Sequence, residues 1–166
     1  MKSSIEKLLQ KDGEITYKTA GTSMWPMLSN HYNHVVIKTI NRSLAPGDVI
    51  LFRRKSGQLV LHRLVKLRGK EYVFRGDNQT ANEYGITDEC ILGILKGFFR
   101  KNKYIDCENN KFYKIYVFVW KITFVPRVVI LHIRKSIKTL FRGVAHLFYK
   151  RHLCRQSRAK PDVRKV

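Results

Sequence analysis

Between residues 14 and 99 the chain is a succession of short runs of β-branched and aromatic residues, each closed by Gly, Pro, Asn or Ser, with no helix-period segment between them. The runs at 15–17, 34–38, 48–53, 59–67, 72–74 and 91–98 read as strands. Short strands at close intervals, without intervening helices, imply an antiparallel or mixed sheet coiled into a small barrel. Ser56-Gly57 and Arg68-Gly69-Lys70 are tight-turn sequences that make 48–74 a three-strand meander.

The flanks differ in kind. Residues 1–13 predict a short helix, with Ser3-Ser4 at its start, Ile5, Leu8 and Leu9 on one face, and Asp12-Gly13 as the stop. Its apolar content falls far short of the roughly 20 residues that a membrane span requires. Residues 1–95 carry 14 Lys and Arg against 9 Asp and Glu, whereas residues 96–166 carry 19 against 3, so the basic charge is concentrated in the second part. A polar linker is expected at 104–111, basic amphipathic helices broken at Pro126 over 112–151, and a disordered basic tail over 152–166. Lys114 and Lys121, seven apart, share a helical face, as do Arg127, Arg134, Lys138 and Arg142. The charges interrupt the apolar run too often for a spanning helix. Helices lying on an anionic membrane surface fit better, and a helical hairpin packed on the sheet is the alternative. A basic, aromatic-rich segment could also follow phosphates, but no base-reading motif accompanies it. Cys90, Cys107 and Cys154 form no C-x-x-C pair and leave one thiol over in any disulfide scheme, which points to a reducing compartment. The His31-Tyr32-Asn33-His34 spacing suits a metal only with further ligands nearby, and reads instead as a loop entering a strand.

Two residues stand out chemically. Ser23 lies in Gly21-Thr22-Ser23-Met24-Trp25-Pro26-Met27-Leu28, where Pro26 stiffens the backbone and Gly21 permits close approach of the main chain. A serine on rigid backbone suits a nucleophile whose own N–H helps to hold an oxyanion. His62 lies within a strand and shares a surface with Val60 and Leu64. Its imidazole can take a proton from a hydroxyl near pH 7 and return it to a leaving amine. An acid that fixes the tautomer of such a base and steadies its imidazolium assists it.

The Ser-Met-x-Pro-x-Leu frame at Ser23, Pro46-Gly47-Asp48-Val49-Ile50-Leu51-Phe52, Val60-Leu61-His62-Arg63 and Gly76-Asp77-Asn78 stand in the order of the four boxes of the type I signal peptidase family, related to the LexA-type self-cleaving peptidases. The resemblance covers roughly residues 18–97. It implies a small coiled β-barrel and a serine endopeptidase with Ser23 as nucleophile. With histidine rather than lysine at position 62, it is similar to the endoplasmic-reticulum type and its bacterial and archaeal relatives, which implies a Ser–His mechanism. Asp77 matches the last box, and Glu83 falls where histidine-type enzymes carry an aspartate, so both remain candidates for the orienting acid. Gly21 stands where some members place a hydroxyl residue that stabilises the oxyanion, leaving Thr22 or a backbone N–H for that task. Most members also carry a membrane anchor ahead of the serine, and none is legible here.

The expected protein is thus mainly β, a catalytic domain over 1–103 with a basic α-helical C-terminal appendage. It would remove a leader or signal segment from a peptide or preprotein using Ser23, His62 and Asp77 or Glu83, without cofactor or metal. Membrane association, peripheral or weakly anchored through 112–151, is the expected placement, with a cytoplasmic one as the alternative. The rival function is a non-catalytic basic protein that binds membrane or nucleic acid on a relic peptidase fold.

Overall fold

The computed structural model describes residues 4–28, 34–101, 103–126, 128–130, 133 and 137. Helix α1 (Ser4–Asp12) ends at Gly13, whose φ of 72° is left-handed and whose N–H bonds Leu9 C=O at 3.1 Å, a glycine-terminated helix end. Strands β1 (Glu14–Lys18), β2 (His34–Lys38), β3 (Val49–Arg53), β4 (Leu59–Arg68), β5 (Glu71–Arg75), β6 (Glu83–Ile86), β7 (Ile91–Arg100) and β8 (Lys103–Asp106) precede helix α2 (Lys111–Ile122). The sheet runs β1-β2-β7-β3-β4-β5-β6, and every strand pairing is antiparallel. β1 and β6 are its two edges, so the expected barrel is not closed and the mixed alternative is replaced by a wholly antiparallel sheet. Long β7 takes β2 along one side and, along the other, β3 near Ile94 and β8 near Phe98.

The 48–74 meander forms as β3–β4–β5, with Arg68 opposite Glu71 across a two-residue turn in which Gly69 has φ 60°. Alternation along β3 sends Val49 and Leu51 to one core and Ile50 and Phe52 to another, so the central strands are buried on both faces. The first core is closed by Leu9 of α1 and by Met24, Met27 and Leu28 of the Ser23 segment. Leu8, expected on the same helix face, is exposed.

Two expectations about the C-terminal region change. Residues 104–106, placed in a polar linker from sequence, belong to β8, because Gly97 leaves no side chain on β7 and Tyr104 lies across the bare backbone. The polar residues that suggested a linker are turn and cap: Asp106 accepts bonds from Glu108 N–H and Asn109 N–H, and Asn110 Oδ1 caps α2 through Tyr113 N–H at 2.9 Å. α2 ends at Ile122, four residues before the break expected at Pro126. Proline has no N–H for the Ile122 carbonyl four residues back, and Thr123 Oγ1 turns back onto Val119 C=O at 2.6 Å. Residues 1–125 and 126–166 are separate compact units. In the second, 128–130, 133 and 137 are helical, and the tail expected over 152–166 lies outside the described residues.

Candidate functional site

Ser23 sits in a turn between β1 and β2, held from beneath by Met24, Met27 and Leu28 and closed by the Leu28 N–H to Met24 C=O bond at 2.9 Å. Trp25, between them, is exposed, and its bond to Pro26 is cis. Gly21 is required for its backbone conformation, φ 89°, and not for close approach, since a Cβ there would meet nothing within 4 Å. The close approach belongs to Gly76. A Cβ on Gly76 would stand 2.7 Å from Ser23 C=O and 3.0 Å from Ser23 Cβ. Asn78 completes the junction, donating its N–H to Ser23 C=O at 2.8 Å and its side-chain amide to Thr22 C=O at 3.2 Å. The Gly76-Asp77-Asn78 turn is therefore a brace for the serine, a role that its sequence alone does not reveal.

His62 is buried on β4, edge-on to the Phe52 ring at 6.2 Å. Its Nδ1 is sealed from solvent 2.9 Å from Glu83 Oε1, a close approach that is not aligned as a hydrogen bond. Nε2 is the ring nitrogen turned away from Glu83. Glu83 is gripped in turn by Arg54, whose Nε reaches Oε2 at 2.9 Å and whose Nη2 bonds Oε1. Burial holds the imidazole below its ordinary pKa, outweighing the attraction of Glu83, and the Arg54 charge pushes the same way. For Glu83, burial favours the neutral acid. Bonds from Arg54 and the neighbouring His62 overcome it and keep the carboxyl below its usual range. The imidazole is thus neutral, and the carboxyl beside it ionised, at neutral pH.

Asp77, the other sequence candidate, goes elsewhere. Its oxygens take Arg63 Nε at 2.9 Å and Arg63 Nη2 at 2.7 Å, and Tyr116 O–H donates to Oδ2 at 2.9 Å. Both partners of this ion pair are fully buried beneath α2. Arg63 also donates to Gly47 C=O at 2.7 Å and faces the rings of Tyr116 and Trp120 at 5.6 and 5.2 Å. His62 touches Glu83, and Asp77 secures the next residue on the strand.

Ser23 and His62 border one cavity of about 430 Å³. The reason lies in the register: β4 pairs with β3 over residues 59–63, whereas β5 joins it only from Arg63 onward. Over 59–62 the outer edge of β4 has no strand partner among the described residues, so side chains from both faces reach the same space. Leu64 N–H and C=O point to the β3 side, bonding Asp48 C=O and Gly47 N–H. Alternation therefore directs the peptide groups of Leu59 and Leu61 outward, into the cavity. Among the described residues no hydrogen bond joins Ser23 to His62; in unliganded sites such bonds commonly close only around substrate. The cavity walls mix polar and apolar groups, with Met24, Leu28, Leu51 and Leu61 among the apolar ones and Thr22, Gln58 and Gln79 among the polar.

The chain matches no protein-family model and no curated protein. What the cleft can do follows from its own side chains: a half-buried serine on a braced turn, a neutral histidine backed by an ionised acid, and an unpaired strand edge alongside. Among the described residues no cluster of three or more potential metal ligands occurs, and His31 lies outside them.

Proposed function

We propose that this chain is a serine endopeptidase on a small sheet of the LexA and signal peptidase type, which removes a leader or signal segment from a peptide or preprotein. The observation that carries the reading is the shared cavity, with Ser23 and His62 on its wall and Glu83 against the far nitrogen of His62. An extended peptide pairs with the open edge of β4 through the outward groups of Leu59 and Leu61, as a strand added to a sheet. The Ser23 Oγ–H bond breaks as the oxygen bonds the scissile carbonyl carbon, and the proton passes to His62 Nε2. The C–N bond then breaks, with that proton going to the leaving amine. Water releases the acyl group by the same steps, its proton again passing through His62. Glu83, rather than Asp77, orients the imidazole and steadies its charged form.

We also propose that the outer face of α2 rests on an anionic membrane. Tyr113, Tyr116 and Trp120 turn inward, while Ile115, Phe118 and Ile122 form an exposed apolar stripe flanked by Lys114 and Lys121. No helix among the described residues is long and apolar enough to cross a membrane.

Labelling with a fluorophosphonate tests the enzyme: modification of Ser23 in wild type, lost in Ser23→Ala and strongly slowed in His62→Ala, is the expected result. A folded wild type that takes no label favours the non-catalytic reading. Co-sedimentation with phosphatidylserine vesicles, weakened by salt and by Phe118→Ser/Ile122→Ser, tests the membrane contact.

A further inference from the structure

Arg54 is the one permanently charged side chain among the described residues that line the cavity. A guanidinium has five N–H donors. Three are engaged, Nε and Nη2 on Glu83 and Nη1 on Gln58 Oε1 at 2.6 Å, which leaves one on each terminal nitrogen. A pair of N–H groups on the two terminal nitrogens can match a carboxylate end-on. Gln58 borders the same cavity beside the open edge of β4, and about a third of the Arg54 side chain is exposed there.

We propose that Arg54 is a positioning and specificity residue of this cleft: side-on it holds Glu83 against His62, and end-on it receives a carboxylate of the bound peptide, so that the preferred substrate carries an acidic residue near the cleavage site. The proposal rests on the endopeptidase reading. Long-range charge acts in the same direction, since a chain of net charge +21 draws acidic peptides toward it. Removing the Arg54 charge also has a defined electrostatic consequence. The groups acting on His62 are Glu83 from β6, Arg54 from the β3–β4 turn and Asp77 from the turn after β5. Only Arg54 among them opposes protonation, so its loss makes His62 easier to protonate.

The experiment uses peptidyl diphenyl phosphonates, in which Ser23 Oγ bonds phosphorus as phenoxide leaves. One Asp is moved along the peptide, with Asn at the same position as control. The expected result is an Asp position that labels wild type about tenfold faster than Asn at low salt, the scale of one partly screened charge-assisted hydrogen bond. The preference falls to near unity in Arg54→Gln and returns in part in Arg54→Lys. With the uncharged probe, the acid limb of the labelling profile moves to higher pH in Arg54→Gln, which a merely structural role would not produce. An Asp/Asn ratio indifferent to Arg54→Gln overturns the proposal. If that variant does not fold, the full-length wild type decides alone, because no Asp preference at low salt, or one unaffected by 1 M salt, overturns it equally. Failure of every probe on folded wild type overturns the endopeptidase reading itself, whereas labelling of Ser23 without acid preference overturns only this inference.

Discussion

Removing the carboxylate of Asp77 is the most revealing perturbation of the fold. In Asp77→Ala, Arg63 loses two charge-assisted bonds in a site where neither residue has more than 1% of its surface exposed. An uncompensated buried charge costs about 3–5 kcal/mol. Arg63 keeps Gly47 C=O at 2.7 Å, Tyr113 O–H at 3.3 Å and the Trp120 ring at 5.2 Å, which places the loss near the lower end, about 3 kcal/mol. For a protein of this size that is a fall in Tm of roughly 6–12 °C. Urea unfolding followed by tryptophan fluorescence measures it, since Trp120 lies against the affected guanidinium. The double variant Arg63→Met/Asp77→Leu, which removes both charges, should recover most of the stability. An Asp77→Ala protein within about 0.5 kcal/mol of wild type, the range of an ordinary surface change, would refute the assignment of Asp77 to the buried pair.

Further expectations follow from the same geometry. Gly76→Ala should cost about 1–3 kcal/mol by overpacking against Ser23 and slow fluorophosphonate labelling, whereas Gly57→Ala, at a left-handed turn with open space around it, should cost stability without slowing the label. Tyr116→Phe removes a donor to buried Asp77 and should lower unfolding free energy by about 1–2 kcal/mol in the same urea assay. Because His62 is held below its ordinary pKa, labelling that uses the proposed neutral base should persist to a lower pH than an unperturbed histidine allows. The sign for stability agrees. The unfolded chain binds this proton more readily, so the contribution of His62 is present above the unfolded pKa and is lost as pH falls toward the lower folded value. A His62→Gln variant, with nothing to titrate, should lack that acid-side loss.

Legibility varied with the range of the interaction involved. The strands at 34–38, 48–53 and 59–67 and their tight turns were readable because alternation and Gly-containing turns are local properties. β6 was not, since Gly85 interrupts its four residues and only Tyr72 and Phe74 opposite define it. The choice between Asp77 and Glu83 was likewise closed to sequence. Both acids follow Gly76 within seven residues, and only the pairing of β5 with β6 carries Glu83 to His62 while the turn leaves Asp77 at Arg63. Arg54 gave no signal, because an arginine beside a hairpin turn is ordinarily a solvated side chain.

Residue order alone determined a β-rich domain, the strands of its meander, the concentration of positive charge after residue 95, and the residue types able to do acyl-transfer chemistry. Tertiary structure decided that the sheet stays open, that α2 is clamped onto the buried Arg63–Asp77 pair, and that Ser23, His62 and Arg54 border one cavity with Glu83 against His62, beside a strand edge that has no partner among the described residues. The division has a physical cause. Periodicity and turn preference act between neighbours along the chain, whereas these contacts join positions tens of residues apart whose meeting depends on strand register, which no short window of sequence contains.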